Sequence, residues 1–116
     1  MKFNEVMHLS FYTDQMDKMR DFYENKLGLK AKIIMRYAAY KGKKERGAWA
    51  ARAETNPDDI AYIFIELAPG QYLELFPKGD GQLEHEKPDT RLGYSHFALM
   101  VDDIFEAREE LSLIHI

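Results

Sequence analysis

His8-Leu9-Ser10-Phe11-Tyr12-Thr13-Asp14-Gln15-Met16 returns in altered form as His96-Phe97-Ala98-Leu99-Met100-Val101-Asp102-Asp103-Ile104. Each stretch sets a histidine inside an apolar, β-forming run. Each places an aspartate six residues after it and then opens an amphipathic pattern. The run predicts a strand and the aspartate a helix N-cap. A local unit that recurs in one chain argues for a duplicated module, so the repeat bears on the fold before any single element does.

Working outward from the first copy, residues 5–12 read as a strand. Thr13 and Asp14 offer cap oxygens, and Met16, Met19, Tyr23 and Leu27 recur at helical spacing with Phe22 widening the stripe. That stripe is ordinary helix packing. Gly28 follows as a left-handed C-terminal cap. Lys32 to Tyr40 predicts a second strand, and Lys41–Gly47 a solvated loop. The stretch around Trp49 fits either a short strand or a helical turn. Asn56-Pro57-Asp58-Asp59 predicts a turn. Ile60–Leu67 and Tyr72–Phe76 are strands joined by Pro69-Gly70 into a hairpin. A Pro-, Gly- and acid-rich linker covers 77–92. The second copy then runs from a strand at Tyr94–Val101 into a helix with Ile104, Phe105, Ala107 and Leu111 on its apolar side.

Three side chains in these apolar runs carry chemistry: His8, Glu74 in Leu73-Glu74-Leu75-Phe76, and His96. An imidazole or carboxylate inside an apolar strand costs free energy unless it is paired, hydrogen-bonded or metal-bound. Two imidazoles and a carboxylate suit a borderline divalent cation. The competing reading of each histidine is a half-buried core imidazole. With a two-residue turn, Glu74 is expected opposite Ile65, on the side of Ile63 and Leu67. Glu66 is then the rival carboxylate on the other face, unless the register shifts. Glu84-His85-Glu86 lies in the linker and reads as solvated. The Lys41–Arg46 cluster reads as a surface loop, with a seat for an anionic substrate group as its alternative. The directions of Arg36, Tyr40 and Trp49 are not fixed by the sequence.

The chain has 116 residues, enough for one domain, with 46% hydrophobic and 31% charged residues. Its net charge of −4 argues against nucleic acid as a partner. There is no cysteine, which excludes disulfides and thiolate metal sites. No apolar run approaches a membrane span and no signal peptide is visible, so a cytoplasmic protein without a membrane partner is expected.

The order and spacing of several pieces resemble the vicinal oxygen chelate superfamily of glyoxalases, bleomycin-resistance proteins and extradiol dioxygenases. The pieces are His8, Asp17, Phe22-Tyr23, Leu27-Gly28-Leu29, Leu73-Glu74-Leu75-Phe76 and Gly93-Tyr94-Ser95-His96. The resemblance implies an α+β fold of tandem βαβββ modules around a cleft in a single domain, 1–116. Module one would span about 5–78. Module two would be incomplete, about 93–111, with 111–116 a non-native tail in which His115 has no role. It further implies that His8, Glu74 and His96 are metal ligands for Ni, Zn, Mn or Fe, and that a fourth ligand is a glutamate on a final strand not reached here. Glu74 is the implied catalytic base. The implied activity is a glyoxalase-like lyase or isomerase, lactoylglutathione lyase-like, working on a small oxygen-chelating substrate as a homodimer. A non-catalytic bleomycin-resistance-like binder and an Fe(II) extradiol-type dioxygenase are the alternatives; in the latter the carboxylate comes from the last strand, so Glu74 on the fourth favours the isomerase.

Overall fold

The structure, a computed structural model, describes residues 1–87 and 89–114. Chain contacts divide it into two units, Met1–Gly79 and Asp80–Ile116.

The first unit is a four-stranded sheet of β1 (His8–Thr13), β2 (Ala31–Arg36), β3 (Ile60–Ala68) and β4 (Gln71–Pro77), in the order β1-β4-β3-β2. β1 runs parallel to β4, and the other neighbours are antiparallel. Helix α1 (Met16–Arg20) follows β1 and widens into a π-helical turn, Asp21–Lys26. Gly28, at φ +72°, then reverses the chain, a conformation that L side chains rarely adopt. The helix has Gln15 at its N-cap position without a side-chain bond to the helix. Thr13 Oγ1 instead accepts from the Gln15 N–H at 2.9 Å, so the cap expected of Asp14 does not form.

One segment differs from expectation, and a second settles an alternative that the sequence left open. The second strand stops at Arg36, and Tyr37–Tyr40 form a 3-10 turn. This turn is tied to the 56–59 turn, where the Tyr37 N–H donates to Asp59 O and the Ala38 N–H to Pro57 O. Trp49 lies in a helix, α2 (Ala48–Thr55). Tyr37, Ala53 and Ala61 form a small buried cluster, and Tyr40, Trp49 and Tyr62 pack against it.

The hairpin register corrects a second expectation. Pro69-Gly70 is a two-residue turn, with Ala68 opposite Gln71, but the next pair is Glu66 with Tyr72. Leu67 is therefore an extra, bulged residue. The shift puts Ile65 opposite Leu73 and Ile63 opposite Leu75, and all four are 0–1% exposed. Without the bulge, Ile65 would face Glu74 and the apolar quartet would be split between faces. Burying each of these side chains stabilises the fold by about 1.5–3 kcal/mol, which outweighs one interrupted ladder step. Leu9 and Phe11 of β1 extend the same rows beside Leu73 and Leu75. As a consequence Glu74 stands opposite Phe64, and Glu66 shares its face.

In the second unit, α3 (Ile104–Ser112) forms where the repeat predicts it. Asp103 Oδ1 caps it, accepting from the N–H groups of Phe105 at 2.9 Å and Glu106 at 3.2 Å. The helix runs through Leu111 and Ser112. His115 and Ile116 lie outside the described residues, and with them the end of the expected tail. The strand expected over Tyr94–Val101 does not form; among the described residues no ladder includes this stretch. A strand needs a hydrogen-bonding neighbour from elsewhere in the chain, which local sequence does not supply.

Candidate functional site

Strand alternation and the bulge together decide which side chains share the open face of the first sheet. His8, Ser10 and Tyr12 of β1 stand beside Tyr72, Glu74 and Phe76 of β4. Phe64 of β3 completes the row through Glu74. Since paired residues point to one side of the sheet, the polar trio of His8, Ser10 and Glu74 is set on a floor of aromatic rings.

His8 Nε2 lies 3.6 Å from Glu74 Oε1. Ser10 Oγ donates to the same oxygen at 2.6 Å. The Glu74 side chain is only 12% exposed and that of His8 36%. A nearly buried carboxylate needs partners, and the Ser10 hydroxyl and the imidazole supply them. The His8 ring meets Phe64 edge to face at 5.3 Å, and Phe64 meets Tyr72 and Tyr62 at 5.9 and 5.8 Å. Glu66 sits on this face but is engaged by Lys32 Nζ at 3.9 Å, away from the trio.

The floor continues toward α2. Trp49 lies 5.9 Å from Tyr62, 6.1 Å from Phe76 and 4.9 Å from Tyr40. The Arg46 guanidinium sits over both Tyr40 and Trp49. The Tyr62 phenol is pushed up to about 12, first by its hydrogen bond with Tyr40 and then by burial. The Glu74 charge adds to the rise and that of Arg46 opposes it. Tyr62 therefore stands within the electrostatic reach of both.

The fit to a divalent cation can be tested on these distances. Two donors on one cation with bonds of about 2.1 Å lie roughly 3.0–3.5 Å apart. His8 and Glu74, at 3.6 Å, fit as two such donors after a small adjustment. Among the described residues, however, no three His, Cys, Asp or Glu side chains stand together as a metal-holding group. His96 belongs to the second unit, where its Nδ1 lies 3.0 Å from Ser95 Oγ. Glu84, His85 and Glu86 form no such group either; His85 meets the Tyr94 ring at 6.4 Å. Sequence reasoning thus found His8 and Glu74 but missed Ser10, whose place beside Glu74 follows only from the β1–β4 register.

The model of the Glyoxalase/Bleomycin resistance protein/Dioxygenase superfamily matches residues 5–114. The chain belongs to this superfamily. The crystal structure of SMU.1112c is similar in fold, at a TM-score of 0.50 and 19% sequence identity, over 96% of this chain and 74% of that one. Among curated proteins no match is found. The element order β1-α1-β2-β3-β4 is the βαβββ module that the resemblance implies, here with α2 between its second and third strands. Among the described residues, no helix is long and apolar enough to cross a membrane.

Proposed function

We propose that this superfamily member is a glyoxalase-like, metal-dependent lyase or isomerase acting on a small substrate with two neighbouring oxygens, as a lactoylglutathione lyase does. The observation that carries this reading is the His8–Glu74 pair, held 3.6 Å apart on an aromatic face. His8 and Glu74 supply two donors, and the reading assigns His96 as a further one. A divalent cation of the Ni, Zn, Mn or Fe type, when bound, would supply Lewis acidity that polarises a substrate carbonyl. Ser10 fixes Oε1 of Glu74. Oε2 has no partner among the described residues, so it is the oxygen suited to take a proton from the carbon beside that carbonyl. The rings of Phe64 and Tyr72 limit water around that carboxylate.

Calorimetric titration with Zn and Ni tests the proposal. Stoichiometric binding is expected, weakened by at least about ten-fold in His8→Ala, Glu74→Gln and His96→Ala. Unchanged affinity in His8→Ala would overturn the ligand assignment. A second reading, a bleomycin-resistance-like binding cleft, is favoured by the lack of a third donor beside the pair among the described residues. It predicts no cation binding in any variant. The reading also includes a homodimer, supported by exposed Leu99, Met100 and Phe105 in the second unit. Sedimentation equilibrium giving a monomer at all concentrations would remove that part.

A further inference from the structure

We propose that Arg46, held over the Tyr40 and Trp49 rings, is the seat for the carboxylate of a planar aromatic acid whose ring lies along the Trp49–Tyr62–Phe76 surface. This deepens the preceding section and rests on its reading of the open sheet face as the ligand cleft, but not on any metal.

Arg46 has an unusual environment. Its guanidinium carbon lies 5.6 Å from the Tyr40 ring centre and 5.9 Å from that of Trp49. Among the described residues no carboxylate pairs with it, although the chain carries 20 acidic residues against 16 lysines and arginines. A cation over ring faces is attracted by them without being neutralised. The guanidinium N–H donors form a fork that matches a carboxylate. Lys41, Lys43 and Lys44 precede it in the same loop, also without ion pairs among the described residues. Their charge raises the local concentration of anions.

The hydrogen bonding of the loop backbone bears on the choice between a carboxylate and a phosphate. Phosphate sites draw on converging backbone N–H groups. Here the N–H groups of Lys43, Lys44, Arg46 and Gly47 donate to the carbonyls of Tyr40, Gly42, Lys43 and Lys44. These four are spent within the turn, and beside the rings the guanidinium offers a planar fork of donors. The body of the ligand is set by Trp49, whose ring is tilted by 34° to Tyr62 and 43° to Phe76. This run of tilted ring faces offers an aromatic surface to a ligand's π-system. The rings continue from Trp49 through Tyr62 and Phe64 to His8, so an acid anchored at Arg46 has an aromatic floor toward the His8–Glu74 pair.

Trp49 is the chain's one tryptophan, so its emission reports on this surface directly. The probes are benzoate, neutral benzamide and phenyl phosphate, titrated in the presence of EDTA. The chelator makes the result independent of cation binding, so failure here and failure of the metal reading are separate outcomes. Benzoate is expected to give a saturable change and to bind more tightly than benzamide. Arg46→Gln should weaken benzoate about five-fold or more while leaving benzamide unchanged, and Arg46→Lys should fall between. Equal benzoate affinity in the wild type and Arg46→Gln, or no saturable response to benzoate, overturns the proposal. Phenyl phosphate binding more tightly than benzoate would overturn the carboxylate assignment. Should Arg46→Gln fail to fold by circular dichroism, the benzoate-to-benzamide ratio and Arg46→Lys still decide.

Discussion

The stretch from His8 to Met16 and the stretch from His96 to Ile104 carry the same local instruction and meet different fates. Residues His8–Thr13 pair along their length with β4, and helix α1 follows. The segment after Gly93 joins no ladder among the described residues, yet its helix forms, and with a better cap. The contrast separates two kinds of hydrogen bond. A helix closes its bonds within four residues, so the cap at Asp103 and the pattern after it suffice. A strand closes its bonds on a neighbour distant in sequence. β1 has β4; among the described residues the second stretch joins no sheet, and Leu99 and Met100 are 54% and 97% exposed.

The largest expected effect probes the paired sheet against the unpaired segment. Leu75 is fully buried in the apolar rows, and Leu75→Ala should cost about 2–5 kcal/mol in urea unfolding. Met100→Ala, at a site 97% exposed, should cost less than about 0.5 kcal/mol. Comparable losses at both sites would show that Met100 is covered in solution and break the comparison.

A smaller effect sets the two helix starts side by side. Asp103→Ala should cost about 0.5–2 kcal/mol or a matching loss of helical ellipticity, since it removes the cap of α3. Asp14→Ala, where no cap is made, should change neither by more than about 0.5 kcal/mol. A large loss at Asp14 would mean that the first helix starts as the sequence alone suggests.

The smallest effect is confined to high pH and to the first unit. The folded Tyr62 phenol titrates near 12, above the usual value near 10. A proton held more tightly in the folded state stabilises it fully below about pH 10. That contribution fades as pH climbs toward 12. Absorbance titration at about 295 nm should lose its highest step in Tyr62→Phe. Tyr40→Phe should lower that step, because the Tyr40 hydrogen bond is the main cause of the shift. A step left in place by Tyr62→Phe would assign the shifted phenol elsewhere.

Several features of the molecule were legible residue by residue. The strands at β1, β3 and β4 announced themselves by β-forming runs, and Gly28 and Pro69-Gly70 marked turns. His8 and Glu74 stood out as polar groups in apolar surroundings, and they do meet. The failures have physical causes too. Tyr37–Tyr40 looks like continued strand because its two tyrosines suit β structure. The chain turns there because its backbone is claimed by Pro57 and Asp59 across the fold. Trp49 gave no clear periodicity, and its helix is held by the Tyr37–Ala53–Ala61 cluster. The face of Glu66 was misassigned because a single bulged residue, Leu67, inverts everything on one side of it.

By itself, the sequence determined what depends on neighbours along the chain: the helices after His8 and His96, the turns at Gly28 and Pro69-Gly70, the cap at Asp103, and a histidine and a carboxylate that need partners. The tertiary structure decided what depends on register. The bulge at Leu67 was chosen by the burial of Ile63, Ile65, Leu73 and Leu75, and that choice turned Glu74 toward Phe64. Parallel pairing of β1 with β4 then brought Ser10 and His8 to its carboxylate. No local pattern encodes either step, because each is the outcome of competing burials between strands far apart in sequence.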